Sequence, residues 1–249
     1  MEENKSYDNI ICGRNPVMEA VKSGREIDKL LVTHGYSGSI TAIVAKCREK
    51  GVLIKEVSPE KLNYTCNGAN HQGVAAIMAE YKYCTLEDIL NTAAEKGEKP
   101  FIIICDEIED PHNLGAIIRT CDACSVHGVI IPERRSASLN ATVAKAACGA
   151  VEYVKVCRVK NITATIERLK KEGLWIYAAD MDGQKYDTVD YNTPMALVIG
   201  NEGKGISPLV LKNCDITVSL PMRGKINSLN ASVAAAVLMY GVMKNREGG

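Results

Sequence analysis

Three short runs in the second half of the chain are apolar without a break: Phe101-Ile102-Ile103-Ile104-Cys105, Val129-Ile130-Ile131 and Ala196-Leu197-Val198-Ile199. A strand with one wet face alternates apolar and polar residues. A run without alternation is covered on both faces, as strands of a parallel sheet are. Helical stretches fall between such runs, from Asn113 to Cys124, Asn140 to Cys148 and Thr163 to Gly173. Further strands are expected at Val151 to Val156, Trp175 to Ala178 and Ile216 to Pro221. Strands and helices in alternation predict a parallel α/β domain over residues 101–249.

The first 80 residues predict a separate, smaller α/β unit. Residues 1 to 7 are polar and expected to fray. Asn15 is placed as an N-cap, with Pro16 in the first helical turn. Val17, Ala20 and Val21 give that helix one buried stripe. A strand at Ile27 to Val32, a helix over 38–49 stopped by Gly51, and a strand at Val52 to Ile54 follow. Ser58 caps a short helix, Pro59 to Leu62, and the turn His71-Gln72-Gly73 leads into a strand at Val74 to Met78. Residues 81–100, with a helix at Leu86 to Ala94 and the charged Glu95 to Pro100, are read as a linker.

Charge and cysteine usage restrict partners and compartment. A formal net charge of +0 argues against a strong non-specific grip on nucleic acid, so any contact must come from local patches. Candidates are Arg14, Arg134 with Arg135, and Arg223 with Lys225. The ten cysteines sit among apolar residues, no secretory signal is recognisable, and reduced thiols in a cytoplasmic protein are expected. Cys121 and Cys124, near His127, lack the second pair that a zinc site needs, and read as small core residues. No apolar run approaches the roughly 20 residues that span a membrane.

The chemistry concentrates in two loops. Leu197-Val198-Ile199 runs into Gly200-Asn201-Glu202-Gly203-Lys204-Gly205. The strand ending at Pro221 runs into Met222-Arg223-Gly224-Lys225-Ile226-Asn227, then Ser228-Leu229-Asn230-Ala231-Ser232-Val233 opens an Ala-rich helix. If the two strands are neighbours, the loops lie side by side at strand carboxyl ends, where open α/β sheets bind ligands. A P-loop is excluded because Ile206 follows Gly205, and the dinucleotide fingerprint fails too. On spacing alone, a glycine turn without a ligand stays open. So do plain capping roles for Asn113, Ser228 and Asn230, a solvated Glu202, and an Arg119 that snorkels beside its helix stripe. Gly115, one turn before Arg119, leaves the path of its stem uncovered. Ser138-Leu139-Asn140-Ala141-Thr142-Val143-Ala144 echoes residues 228–234, and shared capping chemistry is the expected reason.

Taken together, Asn113-Leu114-Gly115-Ala116-Ile117-Ile118-Arg119, the glycine loop, Leu220-Pro221-Met222 and Ser228-Leu229-Asn230-x-Ser232-Val233-Ala234 resemble the three ordered motifs of the SpoU/TrmH RNA ribose 2'-O-methyltransferases. The resemblance implies a SPOUT fold with a trefoil knot, a homodimer and S-adenosylmethionine as cofactor, with no metal required. It implies cofactor contacts at Gly200, Leu220 and Leu229, with Ile199, Asn201 and Met222 in the same loops. Asn113, Glu202, Ser228 and Asn230 join the site, and Arg119 falls on the family's catalytic arginine. That arginine either takes the ribose proton, which a guanidinium does reluctantly, or binds the neighbouring phosphate and orients the hydroxyl. Asn201 departs from the Ala common in related enzymes, with little expected consequence.

Asp110 to Ala116, Arg135-Ser136-Ala137 and Leu139 to Thr142 resemble the RlmB-type branch, which methylates a guanosine of 23S rRNA. Cys12-Gly13-Arg14-Asn15-Pro16-Val17 and Asn70-His71-Gln72-Gly73-Val74 resemble that branch's L30e-like substrate-binding domain. This implies RNA contacts at Arg14, His71 and Arg135. The alternatives are a tRNA or another rRNA site as substrate, and a non-catalytic RNA-binding assembly factor on the same scaffold.

Overall fold

The computed structural model describes residues 9–22, 26–79, 81–226 and 228–247. The fraying expected of residues 1 to 7 lies outside the described residues. The chain divides after Tyr81 into two units.

The first unit runs β1 (Ile10–Cys12), α1 (Arg14–Lys22), β2 (Ile27–Thr33), α2 (Ser39–Glu49), β3 (Leu53–Val57), α3 (Pro59–Thr65) and β4 (Val74–Met78). The sheet order is β1-β4-β2-β3, antiparallel except for the β2–β3 pair. Strand side chains alternate between faces, and both faces are covered. Leu30 and Val32 share a core with Val17, Val21, Ile43 and Cys47. Leu31, between them, joins Leu62 and Cys66 on the other side. Helix α1 begins at Arg14, so Asn15 lies inside its first turn and is not the cap. Gly13 precedes it, and its carbonyl accepts from Val17 N–H at 3.1 Å.

The second unit begins earlier than a linker over 81–100 would allow. Helix α4 (Leu86–Lys96) carries a Thr85–Asp88 capping box, and its Leu86 and Ile89 are buried in the second unit's core. It continues with β5 (Phe101–Cys105), α5 (Pro111–Ala123), β6 (Gly128–Pro132), α6 (Ala141–Ala146), β7 (Val156–Val159), α7 (Ile162–Lys171), β8 (Trp175–Lys185), β9 (Met195–Ile199), α8 (Pro208–Lys212), β10 (Ile216–Ser219) and α9 (Ala231–Glu247). The sheet is parallel throughout, in the order β10-β8-β9-β5-β6-β7. Strands β5 and β9 are buried along their whole length, as their unbroken apolar sequence requires. Each such side chain contributes about 2 kcal/mol by leaving water.

Two expectations fail here. Residues 151–155 are not strand: Gly149 at φ 90 leads into a 3-10 turn over Ala150–Glu152, and the strand starts only at Val156. The strands before the two loops are also not neighbours, because β8 lies between β9 and β10. Cys121 and Cys124 are buried, and Cys121 Sγ lies 3.7 Å from Met239 Sδ. His127 is equally buried. Its Nδ1 accepts from Phe101 N–H and its Nε2 meets Glu98 Oε2, both at 3.0 Å. Burial pushes its pKa below the usual histidine value, against the opposing pull of Glu98.

Candidate active site

Helix α5 is capped by Asp110, whose Oδ1 accepts from His112 N–H at 2.9 Å, and Pro111 occupies the first turn. Asn113 is therefore not the cap. It is 6% exposed, and its Nδ2 donates to Glu202 Oε1 at 2.7 Å.

Glu202 is held out by a loop that closes tightly on itself. Asn201 N–H donates to Gly205 O at 3.0 Å and Gly205 N–H to Asn201 O at 2.8 Å. A Cβ at Gly200 would lie 2.3 Å from Gly205 C, and Gly205 sits at φ +69. Only glycine meets both demands. The Asn201 side chain is not a neutral departure. Its Oδ1 accepts from Gly203 N–H at 2.9 Å and Lys204 N–H at 3.2 Å, while Nδ2 donates to Glu107 O at 2.9 Å.

The third motif completes the cluster. Asn230 caps α9, with Oδ1 accepting from Ser232 N–H at 3.0 Å and Val233 N–H at 3.2 Å. Its Nδ2 donates to Asn113 Oδ1 at 3.0 Å and also to Glu202 Oε1. Ala231 N–H reaches the same Oε1 at 3.3 Å. The Glu202 carboxylate of the second motif thus gathers donors from the first and third at the N-terminus of α9, where free N–H groups and the helix dipole favour negative charge.

In front of this cluster opens a cleft of about 460 Å³, within the usual range for small-ligand sites. Ile199, Gly200, Asn201, Leu220, Met222 and Leu229 all line it, as do Glu202 and Ser228. Asn113 and Asn230 do not line it and connect to it through Glu202. The intervening strand β8 adds an irregular stretch between Ala178 and Gln184 that the sequence reading missed, bringing Asp180 and Asp182 to the cleft. The strand was expected to stop at Ala178, but it continues to Lys185. The signal was Asp180-Met181-Asp182-Gly183, a polar glycine stretch directly after the strand expected to end at Ala178.

Arg119 is not in the cleft wall. It is exposed on α5, six residues beyond Asn113, which is about 9 Å along a helix, and its Nη1 donates to Cys148 Sγ at 3.3 Å. Gly115 does not clear a path for it. A Cβ there would lie 2.5 Å from Ala146 Cβ and 2.6 Å from Val143 O, so this glycine lets α6 approach α5.

Of the RNA candidates, Arg135 stands at φ 55 with an ion pair to Glu107 Oε1 at 3.2 Å. Glu107 is the residue whose carbonyl ties Asn201. In the first unit, Arg14 Nε donates to Gln72 O at 3.1 Å, and His71 Nδ1 accepts from Gly73 N–H at 3.0 Å. Arg14 and His71 are thus held at one turn.

Residues 100–240 match the model of the SpoU rRNA Methylase family. The chain belongs to this SpoU family. Residues 10–84 match the model for RNA 2'-O ribose methyltransferase substrate binding. YacO of Bacillus subtilis (strain 168), named for the TrmH family of tRNA/rRNA methyltransferases, is 44% identical over 245 residues, covering 98% of each chain. An AdoMet-bound rRNA methyltransferase from Sinorhizobium meliloti superposes with a TM-score of 0.67 at 25% identity, over 95% of this chain and 87% of the other. The SpoU methyltransferase AviRb from Streptomyces viridochromogenes, at 24% identity and a TM-score of 0.65 over 96% of this chain and 91% of that one, shares the fold. The chain is an S-adenosylmethionine-dependent RNA 2'-O-methyltransferase of the SpoU family with a SPOUT α/β fold. The cleft fits that cofactor: an apolar wall of Ile199, Val218, Leu220 and Leu238 suits a nucleoside.

Proposed function

We propose that this SpoU enzyme methylates the 2'-hydroxyl of a guanosine in 23S rRNA, as a homodimer in the cytoplasm. The observation that carries the site reading is the convergence of Asn113 and Asn230 on the Glu202 carboxylate at the edge of the cleft. When bound there, S-adenosylmethionine supplies a methyl group on a positively charged sulfur. Backbone groups at Gly200, Leu220 and Leu229 hold the cofactor, flanked by Ile199, Asn201 and Met222. Glu202 fixes the cleft edge and Ser228 lines the approach of the ribose. The protein's main task is alignment of the two reactants. Arg119 orients the ribose through the neighbouring phosphate or takes the hydroxyl proton. Arg14 and His71 grip RNA in the first unit, and Arg135 does so beside the glycine loop.

The homodimer is supported by α9. Its inner face buries Ala235, Leu238, Met239 and Val242, while Val233, Val237 and Tyr240 are exposed at helical spacing. Such an apolar stripe facing outward suits a second protein surface. Ten free thiols support a reducing compartment. Because YacO's name covers both tRNA and rRNA, tRNA is the second reading.

The test is transfer of labelled methyl to large-subunit rRNA with tRNA in parallel, followed by mapping of the modified nucleotide. One 2'-O-methylguanosine in 23S rRNA is expected. Arg119→Ala should lower turnover by about 10²–10³-fold, the usual effect of losing a transition-state contact, with cofactor affinity retained. A fully active Arg119→Lys variant would refute both roles for the arginine. Methylated tRNA beside silent rRNA would move the substrate, and cofactor binding without transfer to either would favour an RNA-binding assembly factor.

A further inference from the structure

The rim of the cleft carries charges that the cofactor reading does not assign. Glu202, inside it, already accepts at Oε1 from Asn113, Asn230 and Ala231. Asp180 is placed differently. Its Oδ1 accepts from Asp182 N–H at 3.2 Å. Its Oδ2 stands 4.0 Å from where a Cβ on Gly205 would lie, so it overhangs a residue without a side chain. Lys204 precedes that glycine, is exposed, and has its N–H fixed at 3.2 Å to Asn201 Oδ1. Asp180 and Lys204 therefore both line a cleft whose inner wall is apolar.

Opposite charges lining one cleft are complementary to a zwitterion. We propose that Asp180 and Lys204 clamp the α-amino-acid group of the cofactor, Asp180 accepting from its ammonium and Lys204 pairing with its carboxylate. This rests on the cleft being the S-adenosylmethionine site. The ammonium is the better partner for Asp180 than the sulfonium. An ammonium brings three N–H donors that need acceptors, whereas a sulfonium brings none. Asp180 is also only partly buried, where a strongly hydrated cation keeps some of its water.

The clamp makes a specific claim about ligands. S-adenosylhomocysteine keeps the amino-acid group and loses only the methyl and the sulfonium charge. 5'-Methylthioadenosine keeps the nucleoside and lacks the amino acid. The experiment is calorimetric titration of the full chain and its Asp180→Asn and Lys204→Gln variants with all three compounds. The Asn variant keeps an oxygen for the Asp182 N–H, so the turn survives. Asp180→Asn should weaken S-adenosylmethionine and S-adenosylhomocysteine by about tenfold each, as loss of one close charge pair does, and leave 5'-methylthioadenosine within about twofold. Lys204→Gln should weaken the same two ligands by about threefold, in line with an exposed ion pair. Weakening of all three compounds alike would mean that Asp180 only shapes the glycine loop, and would overturn the clamp. Weakening of S-adenosylmethionine alone would assign Asp180 to the sulfonium and overturn it too, as would no change in either. If the unaltered chain binds none of the three, the cofactor reading falls, and the clamp falls with it.

Discussion

Residues 138–144 and 228–234 have the same sequence apart from Thr142 and Ser232, and both open helices. Locally they behave alike. Asn140 Oδ1 accepts from Val143 N–H at 2.9 Å, and Asn230 Oδ1 accepts from the equivalent Val233 N–H at 3.2 Å. Their long-range surroundings differ. Leu139 is buried and its N–H donates to Tyr83 Oη at 2.8 Å. Leu229, its counterpart, is 39% exposed in the cleft wall. The amide nitrogen of Asn230 meets Asn113 and Glu202. Local sequence specifies the cap in both copies. What distinguishes a packing element from a site is the carboxylate that the glycine loop delivers to only one of them.

The largest expected effect tests that distinction directly. Asn230→Ala removes the cap and the Nδ2 bonds to Glu202 Oε1 and Asn113 Oδ1. We expect methyl transfer to fall by about 10²–10³-fold, comparable to losing one positioned donor elsewhere. Glu202→Gln keeps one oxygen for these donors but removes the negative charge at the N-terminus of α9, so it should weaken the cluster by less. Steady-state transfer and cofactor titration of both variants check this. Activity within about twofold of the parent for Asn230→Ala would erase the difference between the copies.

The next effect sharpens the packing role of the first copy. Its helix α6 lies against α5 through Gly115, where an added Cβ would strike Val143 O at 2.6 Å and Ala147 N at 3.1 Å. Backbone atoms cannot swing away as a side-chain tip can. Gly115→Ala should therefore cost about 3 kcal/mol, at the upper end of overpacking, measured by urea unfolding. A cost under about 1 kcal/mol would mean that the two helices separate freely.

Much of this architecture could be read from residue order, for identifiable reasons. Strands β5 and β9 are unbroken apolar runs, and burial on both faces is the condition such runs satisfy. The asparagine caps are local, so Asn140 and Asn230 work from sequence alone. Strand order is not local. Periodicity says that β9 and β10 are covered, but not that β8 lies between them, and with β8 went Asp180 and Asp182. Asn113 was ambiguous because Asn is a capping residue. Pro111 was the deciding clue, since proline fits the first helical turn and leaves the capping position to Asp110. Gly115 was misread as a clearing for Arg119, because contact with α6 cannot be inferred from α5. Val151 to Val156 misled because its valines mimic a strand, while Gly149 at φ 90 turns the chain into a 3-10 turn. The knot implied by family resemblance has no signature in residue periodicity.

The smallest effect is the most informative control. Asn140→Ala removes the same kind of cap as Asn230→Ala, but from a short helix whose preceding Leu139 is buried and tied to Tyr83. Loss of an Asn cap costs about 1 kcal/mol, and the neighbouring contacts hold the chain near its present course. The free energy of urea unfolding should drop by that amount, while cofactor affinity and methyl transfer stay within about twofold of the parent. The two substitutions delete matched local interactions, so the difference in their turnover isolates what Asn113 and Glu202 add. If Asn140→Ala lost activity as severely as Asn230→Ala, helix capping in general would explain the loss, and the Glu202 cluster would have no chemistry of its own to account for.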